Sequence, residues 1–144
     1  MKTSSVIGLQ PLPAIALIAF CLCAPVQAND QIEFAEQNTL TWLALIDAGE
    51  YARSWSGGAA LFRERVTQSQ WEQALRSARP SFGTLVSRVR STATHKKSLP
   101  GAPDGHYVVF QFATSFQHKQ AATETVTSMQ EADGQWRVAG YYIQ

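Results

Sequence analysis

Apolar residues between Asp30 and Ala48 recur at helical spacing: Ile32, Phe34 and Ala35, then Leu40, Leu43, Ile46 and Ala48, with Trp42 and Leu45 widening the stripe. Side chains three and four apart share one helix face, so the spacing predicts an amphipathic helix over 30–48. Gly49 closes it, where a left-handed residue costs least. A second helical piece starts at Glu50 and carries Tyr51, Ala52 and Trp55. Gly57 and Gly58 interrupt it, because a glycine costs about 1 kcal/mol inside a helix. Ala59, Ala60, Phe62 and Val66 then resume an apolar face. Thr67 with Gln70, or Ser69 with Glu72, has the spacing of a capping box and opens a third helix. Its apolar side is Trp71, Leu75 and Ala78. Pro80 is expected to stop it, since the residue before a proline avoids the helical region.

From Gly83 the period shortens. Leu85–His95 is rich in Val, Thr and Ser and reads as a strand. A turn-rich loop spans 99–105. His106–Phe116 is a strong strand, with Val108, Phe110, Phe112 and Phe116 on one face and Tyr107, Val109 and Ala113 on the other. Lys119-Gln120 reads as a connection. The last stretch, Glu124–Ile143, reads as a hairpin about Asp133-Gly134, a pair suited to a two-residue type I′ turn. That turn pairs Ala132 with Gln135. It sets Met129 with Val138 and Thr125 with Tyr142 on the face of Trp136, and Val126 with Tyr141 and Glu124 with Ile143 on the other. Helices followed by four strands with short links imply an α+β domain with an antiparallel sheet packed against the helices.

The first 28 of the 144 residues read differently. Lys2, the apolar run Ile15–Cys23 and the small residues of Val26-Gln27-Ala28 form a secretory signal cleaved after Ala28, too short an apolar run to span a bilayer. Cleavage leaves residues 29–144 as one domain of modest core. Both cysteines leave with the signal, so no disulfide and no thiolate chemistry is expected. Removing Lys2 from twelve basic residues leaves eleven against eleven acidic ones. A neutral chain gives no reason to expect nucleic acid or an anionic membrane as partner. The absence of glycosylation sequons fits a bacterial periplasmic protein.

Candidate chemistry is sparse. His95, His106 and His118 are far apart in the chain, each at a predicted strand end, so no metal site and no cofactor are expected. No G-x-S-x-G elbow supports a serine triad. Glu124 heads a strand in the company of Tyr141 and Tyr142, as a carboxylate base in an apolar cavity would; the plainer reading is a structural pair with an arginine. Arg88 and Arg137, inside strands, need partners, with Glu124 and Glu131 the nearest acids in pattern; Arg88 would otherwise anchor an acidic ligand. Tyr51 and Trp55 could line a pocket, although their spacing also suits the core. No catalytic residue is assigned. The ligand-binding candidates are Tyr51, Trp55, Arg88, Glu124 and Tyr141.

Several stretches in order resemble a family of small bacterial exported proteins known as a domain of unknown function, number 4019. They are Tyr51-x-x-x-Trp55, Gln70-Trp71 leading to Arg79-Pro80-x-x-Gly83, and Ser87-Arg88. To these add LPGxPDG over 99–105 before Tyr107-Val108-Val109, Glu124-Thr125-Val126-Thr127, and Asp133-Gly134-x-Trp136-Arg137-Val138-x-Gly140-Tyr141-Tyr142. The resemblance covers nearly all of 29–144 and implies no activity. Its helix-then-sheet order is similar to nuclear-transport-factor-2-like and cystatin-like folds, which implies a curved sheet wrapped into a cone. Some proteins of that kind are isomerases or cyclases, and many only bind. The expected function is therefore a non-enzymatic module binding a small ligand or another envelope protein through the concave sheet or its exposed edge. The alternatives are a cone-cavity enzyme, with Glu124 or Tyr141 as acid-base group and Arg88 on an acidic substrate, or a dimeric scaffold. Monomer and homodimer both remain open, and no membrane span is expected.

Overall fold

A computed structural model describes residues 28–144. Residues 1–27 of the expected signal peptide, with its apolar run and both cysteines, lie outside the described residues, and its last residue, Ala28, opens α1. No helix among the described residues is long and apolar enough to cross a membrane. The order is α1 (Ala28–Asp47), α2 (Tyr51–Ser56), α3 (Ala60–Arg65), α4 (Gln68–Phe82), then β1 (Leu85–Lys96), β2 (His106–Phe116), β3 (Lys119–Gln130) and β4 (Trp136–Ile143). The four strands form one antiparallel sheet in sequence order. This is an α+β fold with helices on one sheet face.

Of the predicted α1 stripe, Ala35, Trp42, Leu43 and Ile46 are buried, whereas Phe34 and Leu40 face solvent. They meet Val108, Phe110, Phe112, Val126, Trp136 and Val138 from the strands. The two short helices would be marginal alone, since isolated helices under about 12 residues are unstable in water. Tryptophan N–H groups pin α2: Trp42 Nε1 donates to the Ser54 carbonyl at 2.7 Å, and Trp71 Nε1 to Ser54 Oγ at 2.9 Å. Ala59 N donates to the Val138 carbonyl at 2.8 Å, fixing the chain ahead of α3 to the edge of β4.

The Thr67–Gln70 capping box opens α4 as expected. Pro80 does not end it. A proline removes one intrahelical bond and crowds the carbonyl four residues back, but the end of α4 is held from outside: His118 N donates to the Phe82 carbonyl at 2.9 Å. Gly83 closes the helix at φ 74°, and a Cβ there would lie 2.7 Å from the His118 ring. Lys119 and Gln120, expected in a connection, open β3 instead.

The final hairpin differs from the expected register near its turn. Glu131 N donates to the Gln135 carbonyl at 2.9 Å, so the loop is the three residues Ala132, Asp133 and Gly134, with Gly134 at φ 79°. Three-residue hairpin loops put their left-handed residue last, and only glycine takes that place cheaply. A bulge at Ala139, between Thr127↔Gly140 and Ser128↔Val138, absorbs the extra residue. Beyond it the expected pairs hold: Val126↔Tyr141, Thr125↔Tyr142 and Glu124↔Ile143. Between the turn and the bulge the β4 side chains change face, as a one-residue slip requires. Trp136 and Val138 therefore enter the core, while Met129 keeps its expected face with Thr125 and Tyr142, now opposite Arg137.

Candidate functional site

Three of the five candidate residues meet in one place. Arg88 in β1 stands opposite Thr114 in β2, on the sheet face that the helices cover. Its side chain reaches across β2 to Glu124 in β3: Nε lies 2.6 Å from Oε2 and Nη2 3.1 Å from Oε1. This is the bidentate fork-on-carboxylate geometry of a strong ion pair. Thr114 Oγ1 donates to Oε2 at 2.7 Å and Tyr141 Oη to Oε1 at 2.7 Å. Glu124 is wholly buried.

The far side of the Arg88 guanidinium faces the helices. Nη1 donates to Asp47 Oδ2 at 2.8 Å and Nη2 to Oδ1 at 3.1 Å. Asp47 closes the last turn of α1 and also accepts from Arg79 Nη2 of α4 at 2.8 Å. The Arg79 guanidinium lies 4.7 Å from the Phe116 ring centre, and its Nη1 has no hydrogen-bond partner. Two arginines thus alternate with two carboxylates and join α1, α4, β1 and β3.

Burial works against charge on Glu124, yet the Arg88 and Thr114 hydrogen bonds and the nearby guanidinium outweigh it and hold its pKa below the ordinary value. Arg88 answers in kind: burial opposes its charge, and hydrogen bonds to Asp47 and Glu124 push its pKa up. Burial, then the charge of Glu124, push the Tyr141 hydroxyl up, so it remains a donor. Glu124 is thus an ionised acceptor of four hydrogen bonds at neutral pH, closed to water. A general base needs a pKa near the working pH and access to a substrate proton.

Tyr51 and Trp55 stand apart from this cluster. Both pack against the hydrophobic core, and Trp55 Nε1 donates to the Val66 carbonyl at 2.7 Å. The expected partner of Arg137 is found: it pairs with Glu131, and with Asp133 at 2.7 Å, at the exposed end of the hairpin. Sequence reasoning missed Asp47, Arg79 and Thr114. One signal for Asp47 was available, since an acid in the last turn of a helix opposes the macrodipole and calls for a cation.

The cavities lie elsewhere. One between α1 and the β3–β4 hairpin, lined by Phe34, Asn38, Gln130 and Trp136 among others, holds about 230 Å³. Small-molecule sites occupy about 300–1,000 Å³. A larger depression of about 480 Å³ is shallow ground on the uncovered sheet face, between Val89, Ala113, Ser115 and Thr123. None of the five candidate residues lines either one.

That uncovered face has its own pattern. Row by row across the strands it reads Val89, Ala113, Thr123; then Thr92, Gln111, Thr125, Tyr142; then Thr94, Val109, Thr127, Gly140. No charged residue occurs in these three rows. Charge returns only in the next, Lys96, Tyr107, Met129, Arg137, and there on the two edge strands. Val89 and Tyr142 are 65% and 60% exposed.

Residues 38–141 match a family described as protein of unknown function (DUF4019). No curated protein and no solved structure matches the chain.

Proposed function

Since the chain belongs to the DUF4019 family, whose description assigns no activity, we propose from the geometry that it is a non-enzymatic protein-binding module. Its contact surface is the outer face of the sheet, and its first occupant is a second copy of the chain. The observation that carries this reading is the run of three rows without charge on a face open to water. Strand propensity favours the Thr, Val and Tyr of these rows but does not demand that every charge be missing, and interface cores are depleted in charge.

A twofold dimer places one patch against itself. A neutral patch meets its copy without like-charge repulsion, which a basic or acidic patch would suffer. Four strands about 4.8 Å apart and about five residues long at ~3.3 Å give roughly 300 Å² in projection. That area is the core of a contact whose rim takes in the flanking rows, against the ~800 Å² per partner of a standard interface.

A cone-cavity enzyme finds less support. Its base would be Glu124, which is ionised, fourfold hydrogen-bonded and sealed. Arg88 is equally engaged and offers no free fork to an acidic substrate. A bacterial, periplasmic setting is part of the proposal, supported by the leader-like residues 1–28. The cystatin-like resemblance belongs to it too, supported by the helix-then-sheet order.

Light scattering after size exclusion tests the reading. Wild type should run as a dimer at micromolar concentration, and Ala113→Arg, which puts a charge into the first of the three rows, as a monomer of unchanged circular dichroism. A wild-type monomer across the concentration range, or a dimer indifferent to Ala113→Arg, would overturn it.

A further inference from the structure

We propose that His95 and His106 form a two-imidazole chelate for zinc at the end of the β1–β2 hairpin. The two histidines were expected to stand apart. The pairing of Lys96 with Tyr107 instead brings the end of β1 beside the start of β2, and His95 Nε2 lies 3.3 Å from His106 Nδ1. The ring centroids are 5.4 Å apart. Zinc–nitrogen bonds of ~2.0–2.1 Å at the tetrahedral angle set two ligand nitrogens about 3.3 Å apart. The spacing already in place is the one a zinc ion demands. Without metal, one ring donates an N–H to the other; with zinc, both nitrogens turn their lone pairs to the ion.

The rings are mounted on a rigid part of the fold, which favours a defined site. Gly105 N donates to the Lys97 carbonyl at 2.9 Å, closing the ladder just beyond them. Tyr107, fully buried, donates its hydroxyl to the Pro103 carbonyl at 2.6 Å and anchors the connecting loop. His106 is exposed and borders a depression of about 520 Å³ that also contains Asp104 and Lys97. Ions, water and a further ligand can enter there.

Among the described residues no third His, Cys, Asp or Glu groups with the pair to complete a metal set. Two coordination positions are therefore left to water or to a donor brought by another molecule. The ammonium of Lys97 opposes a cation nearby. Both facts set the affinity well below that of a four-ligand structural zinc, whose binding can drive folding outright.

The test is isothermal titration of zinc chloride into the chelator-treated full chain, alongside His95→Ala, His106→Ala, His106→Gln and His118→Ala. Wild type should take one zinc per chain, and the His95 and His106 variants should bind more than about tenfold more weakly, as the loss of a first ligand exceeds that of an outer partner. His118→Ala, at the opposite end of β2, should bind as wild type. Melting curves establish that each variant is folded, and exposed His106→Gln keeps the test open if His95→Ala is not. Undiminished binding in both His106 variants would overturn the proposal. So would the absence of saturable binding below about millimolar zinc.

Discussion

The inner and outer faces of the sheet are made by the same four strands and treat polar groups in opposite ways. Inside, where water is excluded, Arg88 and Glu124 are both charged and tied to Asp47, Arg79, Thr114 and Tyr141. Outside, where water would accept any charge freely, three full rows carry none. Buried charge is tolerated only when its partners offset a desolvation cost of several kcal/mol per ion. The inner cluster meets that condition, and its place is explained by the joining of α1, α4, β1 and β3. The outer rows are under no such constraint, and the proposed dimer contact rests on that contrast.

The contrast is broken most severely from inside. Glu124→Ala leaves the buried Arg88 with Asp47 alone and takes the acceptor from Arg88 Nε, Thr114 Oγ1 and Tyr141 Oη, and breaking a buried pair from one side costs about 3–5 kcal/mol. Against a total of about 5–15 kcal/mol for such a domain, chemical denaturation should show a large loss or no folded protein. Replacing both, Arg88→Met with Glu124→Leu, should recover part of it, since no unpaired charge remains between them. A Glu124→Ala protein with wild-type stability would mean that the cluster is hydrated.

A milder cut sharpens the electrostatics. Thr114→Val removes one donor to the carboxylate and should cost about 1.5–3 kcal/mol at neutral pH, the worth of a hydrogen bond to a charged group. The Glu124 pKa lies below its ordinary 4.5 in the folded protein. Its contribution is therefore present above that pH and lost as pH falls below it. The difference between wild type and Thr114→Val should shrink over that acid range in urea titrations. A constant difference would assign the effect of Thr114 to packing alone.

The smallest effect is expected outside. Ala113→Arg, studied dilute enough to be monomeric, should change stability by less than about 0.5 kcal/mol, as exposed substitutions do. A shift of several kcal/mol would show that Ala113 packs within its own chain, and the two faces would no longer differ in kind.

Much of this was legible along the chain where local chemistry is decisive. The bounds and the two faces of β2, the Thr67–Gln70 cap and the break at Gly57-Gly58 all follow from short-range sterics and hydrogen bonding. Pro80 misled because the contacts that hold the end of α4 come from the β2–β3 turn. The hairpin misled because the bulge at Ala139, whose one local marker is the neighbouring Gly140 inside the strand pattern, decides whether Trp136 points in or out. Arg88, Glu124 and Tyr141 were named from strand pattern, but Asp47 and Arg79 sit on separate helices. Their meeting depends on how α1 and α4 cross the sheet.

Sequence alone determined the α+β order of helices and strands and which stretches alternate, because those properties depend on residues three or four places apart at most. Tertiary structure decided which carboxylate meets which guanidinium, that His95 faces His106, and that eleven neutral positions from four strands line up on one open face. Such coincidences join residues scattered along the chain, and only register, bulges and helix docking bring them together.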